Sequence, residues 1–480
     1  MQEILIGANE NTQIIMDAAM GNRHGMISGA TGTGKTVTLQ ILAEGYSRLG
    51  VPVFMADIKG DLSGIAKAGQ THKKITERVQ KIRIDDFQFR ANPAVFWDIF
   101  ARNGHPVRTT ISEMGPLLLS HLLELNDTQS GVLYSCFKLA DDQGMLLLDL
   151  KDLRAMLNWM AENSKQLKSE YGNISSASVG AIQRRLLVLD EQGASEFFGE
   201  PAIKIEDFQR TDFSGNGVIS ILDATDLTSK SPRLYAAFLL WMLSDLFETL
   251  PEVGDADQPR LVLFFDEAHL LFDRAPRVLV DKIEQIVRLI RSKGVGIYFI
   301  SQSPLDIPED VLGQLGLKVQ HALRAYTPKD RKVIKAVAET FRSNPTLDTE
   351  KVIKELKIGE ALVSVLNKDG SPTPVERILI CPPESQIGAL TDEERMQCIG
   401  RSPYKGQYDQ DIDRESAYEM LKQKAEQMAT VAEQQAPSKR GRSRQSATEA
   451  MLKSVARSVG SQLGRQIVRG IMGSLFGGRK

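Results

Sequence analysis

Eight consecutive residues, Gly29-Ala30-Thr31-Gly32-Thr33-Gly34-Lys35-Thr36, carry the densest chemistry in the chain. They follow a short apolar stretch, Gly25-Met26-Ile27-Ser28, and lead into a helix-period segment from Val37 to Leu49. In that strand-to-helix setting the glycines let successive backbone N–H groups turn inward around a phosphate chain. Lys35 then reaches the β and γ oxygens, and the Thr36 hydroxyl holds Mg²⁺. A helix opening at the same point turns the positive end of its dipole toward the anion. All eight residues are therefore assigned to nucleotide binding, with ATP and Mg²⁺ as the expected cofactors.

The second constellation is Asp266-Glu267-Ala268-His269, preceded by five apolar residues, Leu261 to Phe265. A buried strand ending in an acid pair sets one carboxylate at the metal and the next where it polarises a water for in-line attack on the γ-phosphate. Asp266 takes the metal role and Glu267 that of general base. A further apolar run, Gly296 to Ser301, delivers Gln302. In a parallel α/β sheet ligands gather at the carboxyl ends of strands, which places Gln302 toward the γ-phosphate as a residue that orients water or reports phosphate loss.

Positioning these groups requires alternating strands and helices. Beyond the phosphate loop, strand-like runs occur at Val51 to Asp57, Gly217 to Asp223, Leu261 to Asp266, Gly296 to Ser301 and Leu317 to Leu323. Helical stretches cover Pro232 to Leu250, Pro276 to Arg291 and Pro328 to Phe341, so the pattern predicts an α/β fold with a mainly parallel sheet. From about Thr109 to Phe198 the periodicity becomes leucine-rich and helical, as in an all-helical insertion. Two short strands around Asn367-Lys368-Asp369-Gly370 predict a terminal hairpin. The expected divisions are a core in two parts, 1–108 and 213–385, a helical insertion at 109–212, a charged helical extension at 386–436 and a basic linker with an amphipathic tail at 437–480.

In that tail Leu452, Val455, Val459, Leu463, Ile467, Ile471 and Leu475 recur at helical spacing beside Lys453, Arg457, Arg465 and Arg469. Such a stripe with a cationic flank suits an anionic membrane surface or nucleic-acid phosphates. The chain as a whole carries a formal charge of −2, so contact with a polyanion must come from a local basic patch. Three cysteines without CxxC spacing and six histidines argue against a disulfide framework or a zinc site, and fit a cytoplasmic location. No signal-like N-terminus and no apolar run long enough to cross a bilayer is present in the sequence, so no integral membrane segment is expected.

Together these elements resemble the HerA and FtsK branch of RecA-type motor ATPases, and within it the bacterial HerA-like family. The resemblance rests on Ile6-Gly7-Ala8-Asn9, the phosphate loop, Asp57-Ile58-Lys59-Gly60-Asp61, Phe265-Asp266-Glu267-Ala268-His269 and Ile300-Ser301-Gln302-Ser303. Tyr326-Thr327-Pro328-Lys329-Asp330-Arg331 and Gly359-Glu360-Ala361-Leu362-Val363-Ser364 extend it, so that it runs from residue 3 to about 385. It implies a RecA-like P-loop ATPase forming a homo-hexameric ring with ATP sites between subunits, and duplex DNA as the expected partner. Archaeal HerA proteins place a β-barrel before the motor, whereas Met1 to Ser28 is too short for one, so docking through such a barrel is not expected. The Asp-Glu-Ala-His tetrapeptide is shared with two-lobed DEAH-box RNA helicases, but no second lobe follows here. The charge-stabilising arginine should then come from a neighbouring subunit. Arg291 and Arg324 are the candidates, with family position favouring Arg291.

The leading expectation is a ring-forming, Mg²⁺-dependent ATPase that translocates or unwinds DNA. The alternatives are a secretion- or conjugation-type ATPase that moves protein, and a nucleotide-dependent scaffold recruited to a membrane by its tail.

Overall fold

A computed structural model describes residues 2–434 apart from 255, 275 and 276. The basic tail at 437–480 lies outside the described residues. Among the described residues twelve strands form one sheet, in the order β2-β1-β12-β11-β10-β3-β9-β8-β4-β7-β5-β6. In chain order they are β1 (Glu3–Ala8), β2 (Gln13–Asp17), β3 (Gly25–Ser28), β4 (Val53–Asp57), β5 (Ala94–Asp98) and β6 (His105–Pro106), then β7 (Ile219–Asp223), β8 (Leu261–Phe265), β9 (Val295–Ser301), β10 (Leu317–Gln320), β11 (Glu360–Ser364) and β12 (Glu376–Ile380).

The run from β10 through β3, β9, β8, β4, β7 and β5 to β6 is parallel throughout. Its central strands are buried along their whole length, as in Val53–Asp57 and Leu261–Phe265. Burial on both faces is why these segments read as unbroken apolar runs. On the other side of β10 the pairing turns antiparallel through β11, β12, β1 and β2. The expected hairpin is β11 with β12, and its turn closes through Asn367, whose N–H donates to Ser371 O at 2.8 Å and whose carbonyl accepts from Gly370 N–H at 2.8 Å.

Two compact units are distinguished. The first comprises residues 1–126 and 184–412 and holds the whole sheet; the second comprises 127–183 and, among the described residues, 413–434. The first unit's main core gathers Ile27, Leu39, Leu42, Val53, Met55, Val262, Phe264 and Ile300 between the sheet and helix α1 (Lys35–Arg48). In the second unit, helix Leu150–Glu162 opens on a capping box of Asp149 and Asp152. The buried Asp152 carboxylate also accepts from Ser416 Oγ at 2.5 Å and Tyr418 N–H at 3.0 Å, which ties that helix to the start of helix Ala417–Gln434. No helix among the described residues is long and apolar enough to cross a membrane.

Candidate functional site

Parallel pairing of β3, β9 and β8 brings three sequence signals to one edge of the sheet. β9 lies between the other two, with Ser28 opposite Ser301 and Phe265 opposite Phe299. The phosphate loop leaves β3, Gln302 leaves β9 and Asp266 leaves β8, all at the carboxyl ends of their strands.

The loop itself is pinned from below. Gly29 has φ +150° and a Cβ there would stand 2.5 Å from the Cβ of His321, so both the conformation and the space demand glycine. Ala30 N–H donates to Ala322 O at 2.9 Å and Gly359 N–H to Thr33 O at 3.0 Å, which fastens the loop to the end of β10 and to the residue before β11. His321 is fully buried beneath it, with Nε2 2.8 Å from Thr38 Oγ1 and Nδ1 3.0 Å from Glu360 O. A carbonyl can only accept, so Nδ1 carries the proton and Nε2 accepts from the threonine. Burial, reinforced by the nearby Lys35 charge, pushes the His321 pKa down to about 4.

Lys35 donates from Nζ to Gly29 O at 2.7 Å and Ala30 O at 3.3 Å. Burial and the Lys59 charge lower its pKa, with Glu267 and Asp266 opposing. Thr36 Oγ1 stands 3.5 Å from Asp61 Oδ2, and the other oxygen of Asp61 is buried with no hydrogen-bond partner. Asp57 is buried at the end of β4 and accepts from Gly60 N–H at 2.7 Å and Leu62 N–H at 3.0 Å, folding the turn that carries Lys59 and Asp61. Burial raises its pKa to about 7 against those bonds.

The acid pair is held at an unusual backbone geometry. Glu267 has φ +45°, a left-handed conformation that costs a non-glycine residue about 1–2 kcal/mol. The next residue, Ala268, is anchored by its N–H to Ile300 O at 2.8 Å. Asp266 is buried and its pKa rises to about 6 through burial, with Lys59 opposing and Glu267 adding to the rise. For Glu267 burial also acts upward, but the bond and charge of Lys59 outweigh it and the pKa falls. His269 Nδ1 is 3.2 Å from Glu267 Oε2, close enough for a charge contact but not aligned for a hydrogen bond.

Gln302 is exposed at the end of β9, where Ser301 Oγ and Ser303 N–H both bond to Asp306 Oδ2, at 2.5 and 3.0 Å, and fix the turn around it. The two arginines separate. Arg324 is exposed two residues after Ala322, on the phosphate-loop edge, with Nη1 3.5 Å from Lys354 O. Arg291 lies in the 3₁₀ turn Ile290–Lys293 ahead of β9, at the opposite edge of the sheet and close enough to His24 to act on it electrostatically. Within one chain, therefore, Arg291 is remote from the phosphate loop.

Sequence reading missed a cleft of about 510 Å³ beside the loop, whose lining includes Gly34, Val37, Arg78, Gly359, Ile380 and Pro382. Arg78, on helix α2 (Lys73–Ile82), spans it by donating from Nη1 to Gly359 O at 3.3 Å and Ile380 O at 3.1 Å. The available signal was the Cys381-Pro382-Pro383 break directly after the hairpin.

The family model described as Helicase HerA-like C-terminal matches residues 2–442 and 435–480. The chain is 21% identical over 367 residues to the DNA double-strand break repair helicase HerA of Sulfolobus acidocaldarius, covering 75% of this chain and 65% of that protein. It thus spans less than two thirds of that relative's length. Among solved structures, the bacterial conjugative coupling protein TrwBdeltaN70 superposes with a TM-score of 0.51 at 16% identity, covering 80% of this chain and 90% of that one. Plasmid coupling protein TrwB in complex with the non-hydrolysable GTP analogue GDPNP gives 0.51 at 15% identity with the same coverage. At such identities the likeness establishes a RecA-like α/β fold and nothing finer. With its family model covering nearly the whole sequence, the chain belongs to the HerA-like C-terminal helicase family, and its core is of the P-loop motor ATPase type.

Proposed function

We propose that the protein hydrolyses ATP with Mg²⁺ as a ring-forming motor that acts on double-stranded DNA. The observation that carries this reading is the convergence of the phosphate loop, Gln302 and the Asp266–Glu267 pair on one strand edge. Residues 29–36 cradle the phosphates and Lys35 turns from its loop carbonyls to the phosphate oxygens. The cleft beside Gly34 has a volume suited to a nucleoside.

The donor set fits Mg²⁺, which favours hard oxygen ligands and few of them from protein. Thr36 Oγ1 and the buried Asp266 carboxylate would hold it, and the unpartnered buried oxygen of Asp61 supplies a further acceptor nearby. When bound, Mg²⁺ neutralises charge on the transferred phosphoryl group. Glu267 takes the proton from the attacking water and Gln302 orients that water. Arg324 or Arg291 of an adjacent subunit stabilises the developing charge, and the placement of Arg291 away from its own loop suits a residue that serves a neighbour.

The relative named for DNA double-strand break repair favours a nucleic-acid substrate over protein. The test is steady-state ATP hydrolysis with and without duplex DNA, on material whose mass is fixed by light scattering. A hexamer stimulated by DNA is expected. Turnover indifferent to DNA in a verified hexamer refutes the DNA assignment, and full activity in a monomer refutes the ring.

A further inference from the structure

Lys59 stands between the phosphate loop and the acid pair. It is carried by the turn after β4, which the buried Asp57 carboxylate fixes through the Gly60 and Leu62 N–H groups. From that pinned turn its ammonium contacts Glu267 Oε1 and lies 3.8 Å from Asp266 Oδ2. The side chain remains 35% exposed, whereas those of Asp266 and Glu267 are 5% and 7% exposed. The cation is thus the solvent-facing member of the cluster and the carboxylates are its buried members.

We propose that Lys59 is a tethered counter-ion that competes with a divalent cation for Asp266, and that Glu267 is free to act on water only once Lys59 withdraws. The inference rests on the roles given above to Asp266 and Glu267. An ammonium brings a unit charge and three donors to the side of Asp266, whose oxygens a hard cation would use. It is attached to the chain, so its effective concentration does not fall on dilution. A carboxylate oxygen already engaged by an ammonium is a poor proton acceptor, which makes the pair a lock on hydrolysis as well as on the metal. Asp61 stands on the same turn and acts electrostatically on Asp57, Lys59 and Asp266, so a displaced Lys59 keeps an anionic neighbour close to its stem.

The lock is tested with Mn²⁺ alone as probe, titrated into the full-length protein while free Mn²⁺ is followed by electron paramagnetic resonance. Lys59→Met keeps the apolar stem and removes the charge; it should bind Mn²⁺ roughly three- to tenfold tighter, the size expected for losing one partly exposed competing ion pair. Lys59→Arg retains the competitor and should match the wild type, while Asp266→Asn should lose the site. Thermal melts of each variant, with Lys59→Gln as a second neutral form, establish that all are folded. Loss in Asp266→Asn with equal or weaker binding in both neutral Lys59 variants overturns the lock alone. Unchanged binding in Asp266→Asn overturns the metal assignment, and the lock with it.

Discussion

Acid should loosen the floor of the phosphate site through His321. Its pKa is about 4 in the folded chain against an ordinary 6.5, because burial disfavours the imidazolium. Between those two values the unfolded chain binds the proton and the folded chain does not, so stability is fully present above pH 6.5 and is lost as pH falls toward 4. At about 1.4 kcal/mol per pH unit, the loss attributable to this one side chain at pH 4.5 is about 2–3 kcal/mol. Hydrogen bonding does not add to the cost. Thr38 can rotate its hydroxyl toward Gly34 O at 3.3 Å and accept from a protonated Nε2, so what remains is a charge placed in a dry site beside Lys35. Other groups respond to the same change; His24 is lowered to about 4 by burial and loses stability alike, whereas Asp57 and Asp266, raised to about 7 and 6, move the opposite way. Comparison with His321→Gln isolates the contribution, since glutamine can donate to Glu360 O and accept from Thr38 without titrating. Urea unfolding of both proteins at pH 7 and pH 4.5 should show the variant losing about 2–3 kcal/mol less than the wild type. Equal losses in the two proteins would refute the argument.

Glu267→Gln should lower ATP turnover by roughly 10²- to 10⁴-fold while retaining nucleotide affinity, whereas Lys35→Ala should weaken both; parallel hydrolysis and equilibrium binding measurements decide between them. Gly29→Ala should raise the Kd for ATP by roughly tenfold or more, because a strain of about 1–3 kcal/mol must be relieved by shifting the loop off His321; calorimetric titration checks this. Arg291→Ala and Arg324→Ala should each be tested alone and after mixing with Glu267→Gln subunits. The variant that removes the trans-acting arginine should recover hydrolysis on mixing, at interfaces where one intact arginine meets one intact glutamate.

The parts of this fold that were legible in the sequence share a cause. β4, β8 and β9 are buried on both faces, so Val53–Asp57, Leu261–Phe265 and Val295–Ser301 present apolar runs that no surface element would carry. β1, β2, β5 and β6 were not foreseen. β2 is only half-buried and β6 is two residues long, so neither repeats an apolar signal far enough to stand out. The phosphate loop was legible because its chemistry needs glycines and a lysine in a fixed order. The engagement of Lys59 with Glu267 was not, since residues 59 and 267 meet only through the β4–β8 pairing. Arg78 was hidden for a similar reason, its partners being carbonyls of residues 359 and 380 whose positions no side-chain pattern encodes.

The placement of β3 has a consequence for synthesis on the ribosome. The strand that carries the phosphate loop is flanked by β9 and β10, residues 295–301 and 317–320, and β1 pairs with β12 at residues 379–380. The strands that flank β3 are therefore made long after the loop itself, and β1, which can pair with β2 at once, must wait through most of translation for β12. Contacts of such sequence separation form late and slowly. The nascent chain meanwhile exposes Met26 and Ile27 of β3 and the apolar β4, whose neighbours β7 and β8 are also distant in sequence. Those strand edges are the segments that a holding chaperone would have to cover until about residue 380 has emerged.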